Sequence, residues 1–165
     1  MKSLLKPAAL LLMLLATPAT AHDGVQITDP FARILVGNGA VYFMMSNHAG
    51  VDDVLLSASS PDAAMVSLMN NSEDTNGVMK MTDVAGGFAV AAEDSRTLTG
   101  GGDHVMLMGV AEKFVTGDTI TVVLWFEHAG KVTLTVPVDN KRSGAPGMGP
   151  TEFDIQSGAA AAKAP

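Results

Sequence analysis

Along most of the chain, apolar and polar residues alternate with a period of two, the period of strands rather than helices. Ile120, Val122, Leu124 and Phe126 alternate with Thr119, Thr121 and Val123, and Thr133 and Thr135 with Val132, Leu134 and Val136. His128-Ala129-Gly130 lies between the two runs, so 119–127 and 131–138 are predicted to form a hairpin. Residues 40–45 read as a strand with Val41, Phe43 and Met45 on one face. Further strands are predicted at 25–28 and 31–36 on either side of an Asp29-Pro30 turn, and at 54–57, 65–69, 78–84, 88–91, 96–98 and 105–110. The run 78–84 follows Asn76-Gly77, a strong turn pair. No amphipathic helix of ten or more residues is read after the first twenty residues. Many short strands separated by Gly- and Asp-rich turns predict an all-β antiparallel sandwich or barrel.

The pattern fails at both ends. Lys2 and Lys6, an apolar run from Ala8 to Leu15, and Ala19-Thr20-Ala21 are read as a secretory signal peptide, residues 1–21, cleaved after Ala21. The apolar run is too short to span a bilayer, so no stable membrane insertion is expected after cleavage. Residues 22–138 are predicted to be one domain. Residues 139–165, rich in Gly, Pro and Ala, are predicted to be a flexible tail.

Composition narrows the chemistry. Lys2 and Lys6 are the leader's only charges, so the chain from His22 on carries eight basic against 17 acidic residues. That balance repels nucleic acid and anionic lipid. Cysteine is absent. The chain therefore has no disulfide, no thiolate metal site and no cysteine to carry a lipid. A blue-copper electron-transfer centre, which needs a thiolate, is disfavoured for the same reason. No G-x-S-x-G, HExxH or P-loop occurs, and the reading is of a protein that is not an enzyme.

Methionine is the unusual residue: there are 11. Two short segments hold much of the Met and His, Met79-Lys80-Met81 and His104-Val105-Met106-Leu107-Met108. Residues two apart on a strand share a face, so His104 points with Met106, Met108 can join them, and Met79 points with Met81. Met69 is placed at the end of its strand, before a polar loop. Gly100-Gly101-Gly102 is read as a tight bend presenting His104. Imidazole with thioethers is a soft donor set, poor for zinc, calcium or magnesium and suited to Cu(I). Thioethers bind without deprotonation and survive where thiolates oxidise to disulfides. A structural reading competes, because Met at alternate strand positions is often core filler. His22, His48 and His128 are read as exposed non-ligands, and Met148 as lying in the tail.

From Met65 to Gly109 the sequence resembles the PCuAC family of periplasmic copper chaperones. The likeness rests on Gly77-Val78-Met79-Lys80-Met81 and Asp103-His104-Val105-Met106-Leu107-Met108-Gly109. It extends more weakly over about 25–138, through Asp29-Pro30-Phe31-Ala32-Arg33, Gly39-Ala40-Val41-Tyr42 and Ala58-Ser59-Ser60-Pro61. The resemblance implies a cupredoxin-like Greek-key sandwich in the periplasm, with Cu(I) held by Met69, Met81, His104 and Met106. It implies delivery of that copper for assembly of cytochrome c oxidase, to its subunit II or a Sco-type protein. The chain departs from the pattern in having Met69 where many members have His, and in slightly longer gaps between the ligand positions. Met79 can take the place of Met81 if the register slips. Two other readings stay open: a copper-buffering or tolerance protein, and a secreted β-sandwich binding module that holds no metal.

Overall fold

A computed structural model describes residues 24–146 apart from 74, 76, 112 and 144. The proposed leader, His22, Met148 and most of the proposed tail lie outside the described residues. All ten described elements are strands: β1 (Val25–Leu35), β2 (Asn38–Asn47), β3 (Asp53–Ser59), β4 (Ala63–Glu73), β5 (Met79–Asp83), β6 (Phe88–Val90), β7 (Ser95–Thr97), β8 (Asp103–Val110), β9 (Thr119–Phe126) and β10 (Lys131–Pro137).

They form two antiparallel sheets. One runs β1-β2-β8-β4-β5, with β7 also on β2; the other runs β10-β9-β3-β6. The chain alternates between the sheets, one or two strands at a time. β8 thereby enters between β2 and β4, from which it is distant in sequence. This is the expected all-β sandwich with Greek-key crossovers. Its core lies between the sheets, where Val41, Phe43, Met45, Val105 and Leu107 of one face Leu55, Phe88, Ile120, Val122 and Leu124 of the other. These side chains are buried, and each contributes about 1.5–3 kcal/mol by leaving water. The alternation that predicted the strands is the alternation that builds this core.

Three expectations are corrected. Residues 25–35 are one strand, not two around a turn; a register shift between Thr28 and Phe31 marks a bulge. Asp29 takes a positive φ of 50° there. A bulge accommodates the Asp-Pro pair by leaving residues outside the ladder, which lets the strand continue. Second, β4 does not stop at Met69 but runs to Glu73 and pairs with β5 through Glu73 and Met79. Asn70 and Asn71 extend it because their amides find partners, as described below. Third, Asp139 to Arg142, assigned to the tail by composition, are hydrogen bonded to the body. Asp139 N–H donates to Ala32 O at 2.8 Å, the Asn140 side chain accepts from Ile34 N–H at 2.7 Å, and Arg142 pairs with Asp29.

Candidate metal centre

Register decides which donors meet. Residues directly opposite in an antiparallel pair lie on the same face, with Cβ atoms about 4.5–5.5 Å apart. On β4 and β8, Met69 is opposite His104, and Met65 is opposite Met108. Met106, two residues from His104, shares its face and stands between Ser67 of β4 and Ala40 of β2. The intervening Val105 and Leu107 point inward and are fully buried. Met69, His104 and Met106 therefore lie side by side on the outer face of the larger sheet, backed by the core.

Met81 is opposite Asn71, and Met69 is opposite Asp83. Met81 is thus on the same outer face and diagonal to Met69, but one strand further from His104. It is 48% exposed and at the sheet edge. Met79, 60% exposed and opposite Glu73, lies a further step away, beyond the end of β8. Between the two, the register places Met81 nearer the imidazole.

The imidazole is held in one orientation. His104 is 2% exposed, and its Nδ1 lies 3.0 Å from Gly102 O. A carbonyl only accepts, so Nδ1–H is the donor, and Nε2 is the nitrogen left to ligate. Fixing one ring nitrogen so that the other can ligate is the usual outer support of a metal-binding histidine. Gly102 O also accepts Asn71 N–H at 3.1 Å, so the same carbonyl joins the imidazole to β4. The bend that sequence placed at the glycines closes through Gly102 N–H to Thr99 O at 3.1 Å and Thr99 N–H to Asp103 O at 2.8 Å.

Beside the imidazole, Asp103 locks the start of β8. Its Oδ1 accepts from the Asn70 amide at 2.7 Å, and its Oδ2 accepts from Arg96 Nη2 at 2.6 Å and Nε at 2.9 Å. Arg96 belongs to β7 and also lies over the Phe88 ring, 5.2 Å from its centroid. Three strands converge on this one carboxylate. On the other flank, the Tyr42 ring is 6.3 Å from that of His104. Burial, partly offset by the charge of Arg33, pushes the Tyr42 phenol above its ordinary range, so it stays neutral. Neither Tyr42 nor the Arg96–Asp103–Asn70 brace was found from sequence. A lone Tyr on a strand and a polar run after Met69 carry no signal of what they touch.

The methionines are distributed unevenly. Eight lie among the described residues, and only Met45 packs into the core. Met44, Met65, Met69, Met79, Met81, Met106 and Met108 are at outward-facing positions of the larger sheet. This answers the core-filler reading for seven of them. Among the described residues, no three His, Asp or Glu side chains converge to hold a metal ion. His48 and His128 are exposed.

The fold is shared with PCuAC domains, which are antiparallel β-sandwiches of the same arrangement. The chain is similar to the apo PCuAC domain from PmoF1, with a TM-score of 0.58 and 18% identity over 70% of this chain and 92% of that one. It is similar to the copper-bound PCuAC domain from PmoF2, with a TM-score of 0.56 and 22% identity over 70% and 92%. Cu(I)-DR1885 from Deinococcus radiodurans gives a TM-score of 0.55 and 24% identity over 73% and 83%. At these identities the likeness is one of fold. Residues 25–138 match the family described as "Putative lipoprotein LpqE-like", and the chain belongs to that family. A protein of Leifsonia xyli subsp. xyli (strain CTCB07) described as "Putative lipoprotein Lxx21020" is 26% identical over 122 residues, 74% of each chain.

Proposed function

We propose that this protein is an extracytoplasmic Cu(I) carrier that holds one copper on Met69, His104 and Met106, with Met81 closing the site from the sheet edge. The observation that carries the reading is the pairing of Met69 with His104 across β4 and β8, with Met106 on the same outer face. Two fold relatives, the PmoF2 domain and DR1885, are copper-bound and support it, as does the lipoprotein description of the family for a location outside the cytoplasm. That location agrees with the export signal read in residues 1–21 and with a periplasmic site of action.

The donor set explains how such a carrier works. Three thioethers and one imidazole are neutral and soft, so they favour Cu(I) over harder cations. None is a thiolate. A recipient with cysteines therefore offers stronger donors, and copper passes downhill to it. A copper centre of cytochrome c oxidase under assembly, reached directly or through a Sco-type protein, is the recipient we favour. The further methionines on the same face favour a second reading, copper buffering. Delivery predicts that deleting the gene lowers oxidase activity in limiting copper and leaves growth in excess copper unchanged; buffering predicts the reverse.

Binding itself is tested by anaerobic titration of residues 22–165 with Cu(I) against a chromophoric chelator. The His104→Ala, Met106→Ala double variant is expected to lose the tight equivalent. Binding indifferent to both substitutions contradicts the site.

A further inference from the structure

Met65 and Met108 belong to no part of the site above, yet they repeat its central feature. They are directly opposite each other on β4 and β8, on the same outer face as Met69 and His104. Met65 is 60% exposed and Met108 is half-buried. Neither reaches the core, which is closed beneath them by Leu68, Val105 and Leu107. The two thioethers are directly opposed outside the core, and Met65 is open to solvent.

His104 and Met108 are four residues apart on one strand, so an ion at each would be separated by about 13 Å. One ion cannot bridge that gap. Met106 stands midway, about 6.6 Å from each, and its cross-strand neighbours are the small side chains Ala40 and Ser67. With no bulky neighbour in its row, its flexible side chain has room to turn toward either end.

We infer that Met65 and Met108 form a second Cu(I) site, which Met106 joins as third donor only while the His104 site is empty. It is an all-thioether site, weaker than the His104 site and placed to receive copper before it or to hold a second ion. This rests on the carrier reading in one respect, that the cargo is Cu(I). Thioethers are neutral, so uptake releases no proton, and without imidazole the second site is still more selective against Cu(II).

The test is stoichiometric. Residues 22–165 and a Met65→Leu, Met108→Leu variant are titrated anaerobically with Cu(I), with uptake read by chelator competition and by the methionine methyl NMR signals. Leucine keeps the volume and the apolar character, so the fold is retained. The expected result is two equivalents for the native chain, the second held at least about tenfold more weakly, and one for the variant. In the native chain the second equivalent moves the Met65 and Met108 methyl signals. In His104→Ala the Met65–Met108 site survives. A native chain that takes up one equivalent, with the leucine variant indistinguishable from it, overturns the second site and leaves the carrier reading standing. A native chain that binds no Cu(I) overturns both.

Discussion

Asp53 is 3% exposed, and its carboxylate is satisfied by backbone. Oδ1 accepts from Val54 N–H at 2.7 Å and His128 N–H at 2.9 Å, and Oδ2 from Ala129 N–H at 2.8 Å. Burial pushes its acidity toward the neutral form. The three backbone donors and the nearby His128 ring outweigh that and hold the carboxyl below its usual range. A depressed carboxyl stabilises the fold fully above its unfolded value, about 3.9, and loses that contribution as pH falls toward the folded value. The resistance of the native chain to urea is therefore expected to fall below about pH 4. Asp53→Ala is expected to cost about 2–3 kcal/mol at pH 7 and to show a shallower acid slope; an unchanged slope contradicts the assignment. At the copper site the residue-scale prediction concerns Met69. Replacing this thioether by imidazole, Met69→His, is expected to raise Cu(II) retention relative to the native chain, and equal retention sinks the idea that three thioethers make the site soft.

At the scale of elements, pairing order makes the site. Alternation in the sequence was enough to predict nearly every strand and the inward faces of 41–45 and 120–126. It could not show that β8 enters between β2 and β4, because nothing local records a partner 35 residues away. The opposition of Met69 to His104 is a product of that insertion, so those ligands were legible only through resemblance to a known family. The opposition of Met65 to Met108 was not legible at all. Asp29-Pro30 was misread because the same dipeptide suits a turn and a bulge. Residues 70–73 were misread because an arm that is polar on both faces has no hydrophobic alternation to display. Two substitutions probe this level. Asp103→Ala removes the acceptor that joins β7, β4 and β8, and is expected to lower Cu(I) affinity about tenfold without removing a ligand. Unchanged affinity would make the brace irrelevant to the site. Gly87, with a φ of 75°, leads into β6, and a Cβ there would stand 2.3 Å from Leu55 O. Gly87→Ala is expected to cost at least about 2 kcal/mol, read by denaturant unfolding; a smaller loss would mean that the turn yields.

For the whole molecule, the consequence is a division of labour between the faces of one sheet. The inner face closes a core that owes nothing to metal. The outer face carries the soft donors. The apo chain is therefore expected to be folded, unlike small metal-dependent domains that unfold without their ion. Copper should add only its binding energy, about 2.7 kcal/mol when free Cu(I) is a hundred times the dissociation constant. The acidic balance of the chain from His22 on suits attraction of a cation or of a basic partner surface.

Met69, His104 and Met106 are proposed to bind Cu(I) together on that outer face. The most direct measurement is NMR of the chain labelled at the methionine methyl carbons and imidazole nitrogens, on adding one equivalent of Cu(I) without oxygen. The Met69 and Met106 methyl signals and His104 Nε2 are expected to shift together, His104 Nδ1 to keep its proton, and Met45 in the core not to move. Unmoved Met69 and Met106 signals at one equivalent, or ligation through Nδ1, would contradict the proposal.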